Sequence, residues 1–160
     1  VPGGCQDLAH PQRTGVGEST EVRTPMQTAG ELLRAYYRAL DVPALDDLSE
    51  LLAPECDWRF PGAQLQGPEA VRNRMARTLA LGLSMEHQIG HLLDHGDVAI
   101  CELIATNRLP EATYSVAGAV VCEAADGRIS RLVAYPDAEQ MTAFLEGLRV
   151  RATAARDRAS

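Results

Sequence analysis

Three histidines, His87, His91 and His95, recur at intervals of four. On a helix that spacing would line one face and offer imidazoles to a single metal ion. The surrounding segment alternates instead, so that Met85, His87, Ile89 and His91 share one side of a strand. There His87 and His91 stand roughly 13 Å apart at about 3.3 Å per residue, too far to share an ion. No metal site follows. His87 reads as a half-buried, hydrogen-bonded histidine or as a pocket acid, base or donor. His95 reads as a turn residue. The cysteines at 5, 56, 101 and 122 form no C-x-x-C and fit no zinc spacing. Cys56, Cys101 and Cys122 read as small core residues, because no base can be paired with them. All 15 Lys-or-Arg positions are arginine. That excludes Schiff-base chemistry, pyridoxal phosphate anchoring and the P-loop lysine within this chain. There is no Gly-rich phosphate loop, no G-x-S-x-G and no H-E-x-x-H.

The chain that must position these groups has 160 residues and a net charge of -7. One domain of this size buries its core without disulfides or metal. The acidic balance argues against nucleic acid and anionic membrane as partners, since both require a basic face. No apolar run approaches the roughly 20 residues of a membrane span. No signal peptide is visible, and with this cysteine usage the expected compartment is the reducing cytoplasm.

Residues 1–25 are rich in Pro, Gly, Thr and charge, and read as a disordered tail. Met26 follows, a candidate start of the domain proper, which spans 26–150. Thr28-Ala-Gly-Glu31 is a capping box for a helix carrying Leu32, Leu33, Tyr36, Tyr37 and Leu40. Of Tyr36 and Tyr37, only one is expected to point at a pocket centre. Pro43 breaks that helix. A second helix covers 44–52 and Pro54 stops it. Cys56–Phe60 is a short strand, Pro61-Gly62 a turn, and Pro68 opens a third helix with Val71, Met75 and Leu79 on one stripe. Then the period changes to two: 84–94, 97–108, 112–124 and 128–135 are four strands, with turns at Gly96 and Asp126-Gly127. Asp137 caps a last helix that buries Met141, Phe144, Leu145 and Leu148. The Arg-rich end, 151–160, is expected to fray. Helices segregated from a mostly antiparallel sheet make an α+β fold.

This order, with the strings LLAPECDWRFPG (51–62), GPEAV (67–71) and DGRISRLVAYPD (126–137), resembles the nuclear transport factor two-like superfamily. Its SnoaL-like polyketide cyclases, limonene epoxide hydrolase-like enzymes and ketosteroid isomerases are the relatives in view. The resemblance implies a cone-shaped, curved, mostly antiparallel sheet wrapped on the N-terminal helices, a C-terminal helix, and an apolar pocket inside. It also allows a residue-by-residue test. The E-R-x-D of the epoxide hydrolases becomes Glu102-Leu103-Ile104-Ala105, and their second Asp becomes Ala134. Leu and Ala can neither activate water nor protonate an epoxide. The Asp base of the isomerases becomes Phe60, and their oxyanion-hole Asp falls near Ala119. Their oxyanion-hole Tyr is retained as Tyr36. Hydrolysis of simple epoxides and isomerisation of steroid enones by those mechanisms are therefore not expected.

What remains is a pocket for a hydrophobic small molecule. Its candidate catalytic residues are Tyr36 and His87. Its candidate lining is Trp58, Phe60, Met85, His91, Cys101, Leu103, Ala105, Tyr114, Leu132 and Ala134. No cofactor or metal is called for. The reading is a cyclase or isomerase of polyketide-type secondary metabolism that closes a ring by preorganising its substrate, pericyclic closure such as a cycloaddition included. The rival is a non-catalytic hydrophobic-ligand-binding or dimerisation module. Epoxide hydrolysis and acid–base aldol cyclisation rank behind both. An enzyme requires an enclosed cavity with a polar donor near its middle, whereas a dimerisation module requires a filled cone. The mixed outer residues Glu102, Ile104, Thr106 and Arg108 suit a homodimer interface.

Overall fold

The computed structural model describes residues 26–158. The tail reading of 1–25 lies outside the described residues. The first helix, α1 (Ala29–Asp41), starts where its sequence dictates. Thr28 Oγ1 accepts from Glu31 N at 3.2 Å, and Glu31 Oε2 accepts from Thr28 N at 2.9 Å, closing the capping box. α2 (Leu45–Glu50) is shorter than the expected 44–52, because Leu52 already belongs to β1 (Leu52–Phe60). Pro54 therefore sits inside a strand and does not end a helix. It is tolerated because the pairing of β1 shifts register between Leu52 and Asp57, where no ladder bond is required of it.

β2 (Ala63–Gln66) was not foreseen. The Pro61-Gly62 turn folds this four-residue edge strand back on β1, and α3 (Pro68–Leu79) follows with Pro68 at its first position. The four long strands are β3 (Ser84–His95), β4 (Val98–Arg108), β5 (Thr113–Ala125) and β6 (Arg128–Pro136). The sheet order is β2-β1-β6-β5-β4-β3. Every neighbouring pair is antiparallel except β1 with β6. The architecture is the expected α+β one: N-terminal helices on a curved open sheet, and a C-terminal helix, α4 (Ala138–Asp157). Asp137 Oδ1 caps α4 by accepting from Gln140 N at 2.9 Å. The helix runs on through the Arg-rich end to Asp157. Arg151 holds it down by donating to Leu81 O at 3.0 Å and pairing with Glu111.

Two apolar clusters form the core. One joins α1 and α2 to the sheet through Leu32, Leu33, Leu48, Leu52, Val120 and Ile129. The other lies under α4 and contains Leu83, Leu109, Val116, Met141 and Phe144. On β5, Gly118 stands opposite Pro136 of β6. A Cβ on residue 118 would lie 2.6 Å from Pro136 Cα and 2.8 Å from Tyr135 O, both backbone atoms. Gly118→Ala is expected to force the strands apart and cost about 1–3 kcal/mol, as overpacking does. Thermal unfolding checks this. At about 2–4 °C per kcal/mol for a chain of this size, the melting temperature should fall measurably.

Candidate functional site

A cavity of about 110 Å³ lies where the two clusters meet. Its floor is built by α1 and the sheet: Tyr36, Tyr37, Trp58, Val120 and Leu132 are buried lining residues. Leu83, Val116, Met141 and Phe144 close it from the other cluster. Arg59, Arg74, Phe60 and Ala117, all partly or fully exposed, mark its mouth. Among the described residues no carboxylate lines it.

Three polar side chains stand in a row on the floor. Tyr36 is 2% exposed, and its Oη accepts a 2.8 Å hydrogen bond from Trp58 Nε1. Burial pushes this phenol well above its ordinary range, while the Trp58 bond acts in the opposite sense. Tyr36 is thus a neutral donor whose oxygen lone pair is already engaged. Tyr37 packs edge-on against Tyr36, with ring centroids 5.2 Å apart, and lies 4.6 Å from the His87 ring. Both tyrosines line the cavity. Successive helical residues are only about 100° apart, and a concave sheet wraps around enough of α1 to enclose both.

His87 Nδ1 lies 2.6 Å from Asp41 Oδ1, and Asp41 Oδ2 accepts from His87 N at 3.2 Å. The two contacts fix the carboxylate against the imidazole. With Asp41 ionised, Nδ1 carries the proton and Nε2 keeps its lone pair. Burial lowers the His87 pKa below its ordinary 6.5, and the Asp41 hydrogen bond and charge only partly oppose this. The ring is therefore neutral at pH 7. No side-chain nitrogen or oxygen sealed from solvent is left without a partner among the described residues, so Nε2, which has none, is not sealed from solvent, and His87 lines the cavity.

A sequence model of the SnoaL-like domain family matches residues 33–132. The chain belongs to the SnoaL-like domain family. No protein with a curated description matches. Among solved structures, an LEH-like epoxide hydrolase of M. tuberculosis superposes with a TM-score of 0.65 at 20% identity, over 82% of this chain and 96% of its own. A protein of Shewanella denitrificans, proposed to be a SnoaL-like polyketide cyclase, gives 0.65 at 15% identity, over 72% and 95%. A Catenulispora acidiphila protein with a ketosteroid isomerase-like fold, in complex with trimethylamine, gives 0.60 at 20%, over 68% and 86%. At these identities the likeness shows the fold.

In this SnoaL-like chain nine of the twelve candidate site residues line the cavity: Tyr36, Trp58, Phe60, Met85, His87, Leu103, Ala105, Leu132 and Ala134. Three do not. His91 is on the outer face, its side chain 92% exposed and 2.8 Å from Glu102 Oε2. A bulge is responsible: Ile89 pairs with Leu103 and Leu92 with Cys101, so β3 spends three residues where β4 spends two, and the inward phase passes to Leu92. Cys101 is buried in the first cluster beyond the cavity floor. Its thiol is pushed up to about 11 by burial, as Cys56 is to about 11 and Cys122 to about 12. None is a thiolate near neutrality. Tyr114 points to α4, its ring 5.8 Å from that of Phe144 and lying over Gly147.

Two groups escaped the sequence reading. Asp41 carries no local signal, because its partner is 46 residues away. Asn107, on β4 in phase with Leu103, is not among the candidate site residues. It is 4% exposed, lines the cavity, and makes only a long 3.4 Å bond to Ala105 O. Alternation along β4 could have found it.

Proposed function

We propose that this SnoaL-like protein is a cyclase or isomerase that moves a proton next to a carbonyl group inside the cavity. His87 Nε2, backed by Asp41, is the general base, and the Tyr36 hydroxyl, backed by Trp58, donates to the carbonyl oxygen. The observation that carries this reading is the 2.6 Å His87–Asp41 pair opening into an otherwise apolar cavity. The proposed polyketide cyclase among its structural neighbours supports a polyketide-type substrate. A cavity of about 110 Å³ takes one ring, so the reacting end of a longer chain enters and the remainder leaves through the mouth. Shape contributes too, since apolar walls hold a flexible chain in a reactive fold. The unfilled cavity with a donor on its floor favours an enzyme over a filled dimerisation module.

A small ketone tests this without the natural substrate. In D2O the protein should catalyse deuterium exchange at the α-carbon of cyclohexanone, read by proton NMR. Tyr36→Phe should slow exchange about ten- to hundredfold, the scale of one hydrogen bond in a dry site. The base works deprotonated and the donor protonated. The first pKa is depressed below 6.5 and the second raised above 10. The rate should therefore rise with pH through a midpoint below 6.5 and stay flat across neutrality. No exchange above the buffer rate would overturn the proposal. Purely shape-driven closure predicts no catalysed exchange at any pH.

A further inference from the structure

The cavity carries an unspent positive charge. Two arginines reach its mouth. Arg59 is neutralised by Asp57, whose oxygens lie 2.7 to 3.1 Å from its guanidinium nitrogens. Arg74, on the α3 face it shares with Thr78, is half-buried and lines the cavity, and its guanidinium has no carboxylate or hydrogen-bond partner among the described residues. His87 is neutral, and no Asp or Glu lines the walls. In a chain of net charge -7, an unpaired arginine beside an apolar cavity runs against the overall balance. Partial burial of a lone guanidinium is costly until an anion meets it. Its planar fork matches a carboxylate in two-point geometry.

We infer that Arg74 anchors a carboxylate on an otherwise apolar substrate, leaving the reacting carbon on the cavity floor between Tyr36 and His87. This rests on the cavity being the substrate site, as proposed above. The substrate class is then a small keto acid, or a longer chain with an acid group about one ring's length from its reacting carbonyl.

Trp58 is the single tryptophan of the chain and lines the cavity, so its fluorescence reads occupancy. The probes are benzoate, the neutral benzamide of the same shape, and phenyl phosphate. The unmodified protein should bind benzoate about tenfold more tightly than benzamide, the scale of one charge-assisted contact. Arg74→Gln should bring that ratio close to one, and Arg74→Lys should retain part of it. Melting curves confirm that both variants are folded. Equal binding of benzoate and benzamide by the unmodified protein would overturn the inference, as would a preference that survives Arg74→Gln. Tighter binding of phenyl phosphate than of benzoate would overturn the carboxylate assignment. The two proposals fail separately. Exchange of cyclohexanone without a benzoate preference rejects the anchor alone, and a benzoate preference without exchange rejects the proton-transfer chemistry alone.

Discussion

His87→Ala should lower α-proton exchange by about two to four orders of magnitude, the usual contribution of a positioned general base. Asp41→Asn should come close to the same loss. An amide at position 41 can donate to Nδ1, which moves the imidazole proton to Nε2 and removes the lone pair the reaction needs. The two variants differ in readouts that a merely structural role would not move. Imidazole added to His87→Ala should restore part of the exchange. In Asp41→Asn the acid limb should shift to still lower pH, because the Asp41 carboxylate is what opposes the burial-driven fall in the His87 pKa. Loss of less than tenfold in both variants would assign catalysis to cavity shape and Tyr36.

The second large effect concerns volume. Ala134→Phe should abolish binding of single-ring ligands and cut turnover by about a hundredfold or more. Ala134 lines a cavity of only about 110 Å³, and a benzyl group there occupies the space the ligand needs. The fold should survive, since overpacking of this kind costs about 1–3 kcal/mol and the new ring can enter the existing void. Circular dichroism and Trp58 fluorescence separate the two outcomes. Tyr135→Phe is the control: Tyr135 is the next residue on β6, but it faces out and is 56% exposed. Unimpaired turnover by Ala134→Phe would place the reacting volume elsewhere.

The positions that the resemblance aligns with catalytic residues of the epoxide hydrolases and isomerases, Leu103, Ala105, Ala134 and Phe60, do line the cavity. Their apolar character was readable from alternation and from the aligned strings. That left an incomplete picture of the chemistry, in which Tyr36 and a solitary His87 faced an apolar pocket. The carboxylate that pairs with His87 comes from the end of α1, where nothing in the local pattern marks Asp41 as different from any helix-terminal acid. It acquires its role only when α1 docks across β3.

The sequence by itself determined the capping box at Thr28, the long strands and most of their inward residues, the start of α3 at Pro68, the cap of α4 at Asp137, and the apolar lining of the cavity. These follow from periodicity and capping, which act over a few residues and survive any tertiary arrangement. Tertiary structure alone decided the rest. It set the parallel pairing of β1 with β6, the bulge that turns His91 outward, and the place of Cys101 in the core rather than the cavity. It ran α4 on to Asp157 by anchoring Arg151. It also joined Asp41 to His87 and left the Arg74 guanidinium without a partner among the described residues. Each of these depends on which distant backbone approaches which, and a local pattern holds no information about a neighbour dozens of residues away.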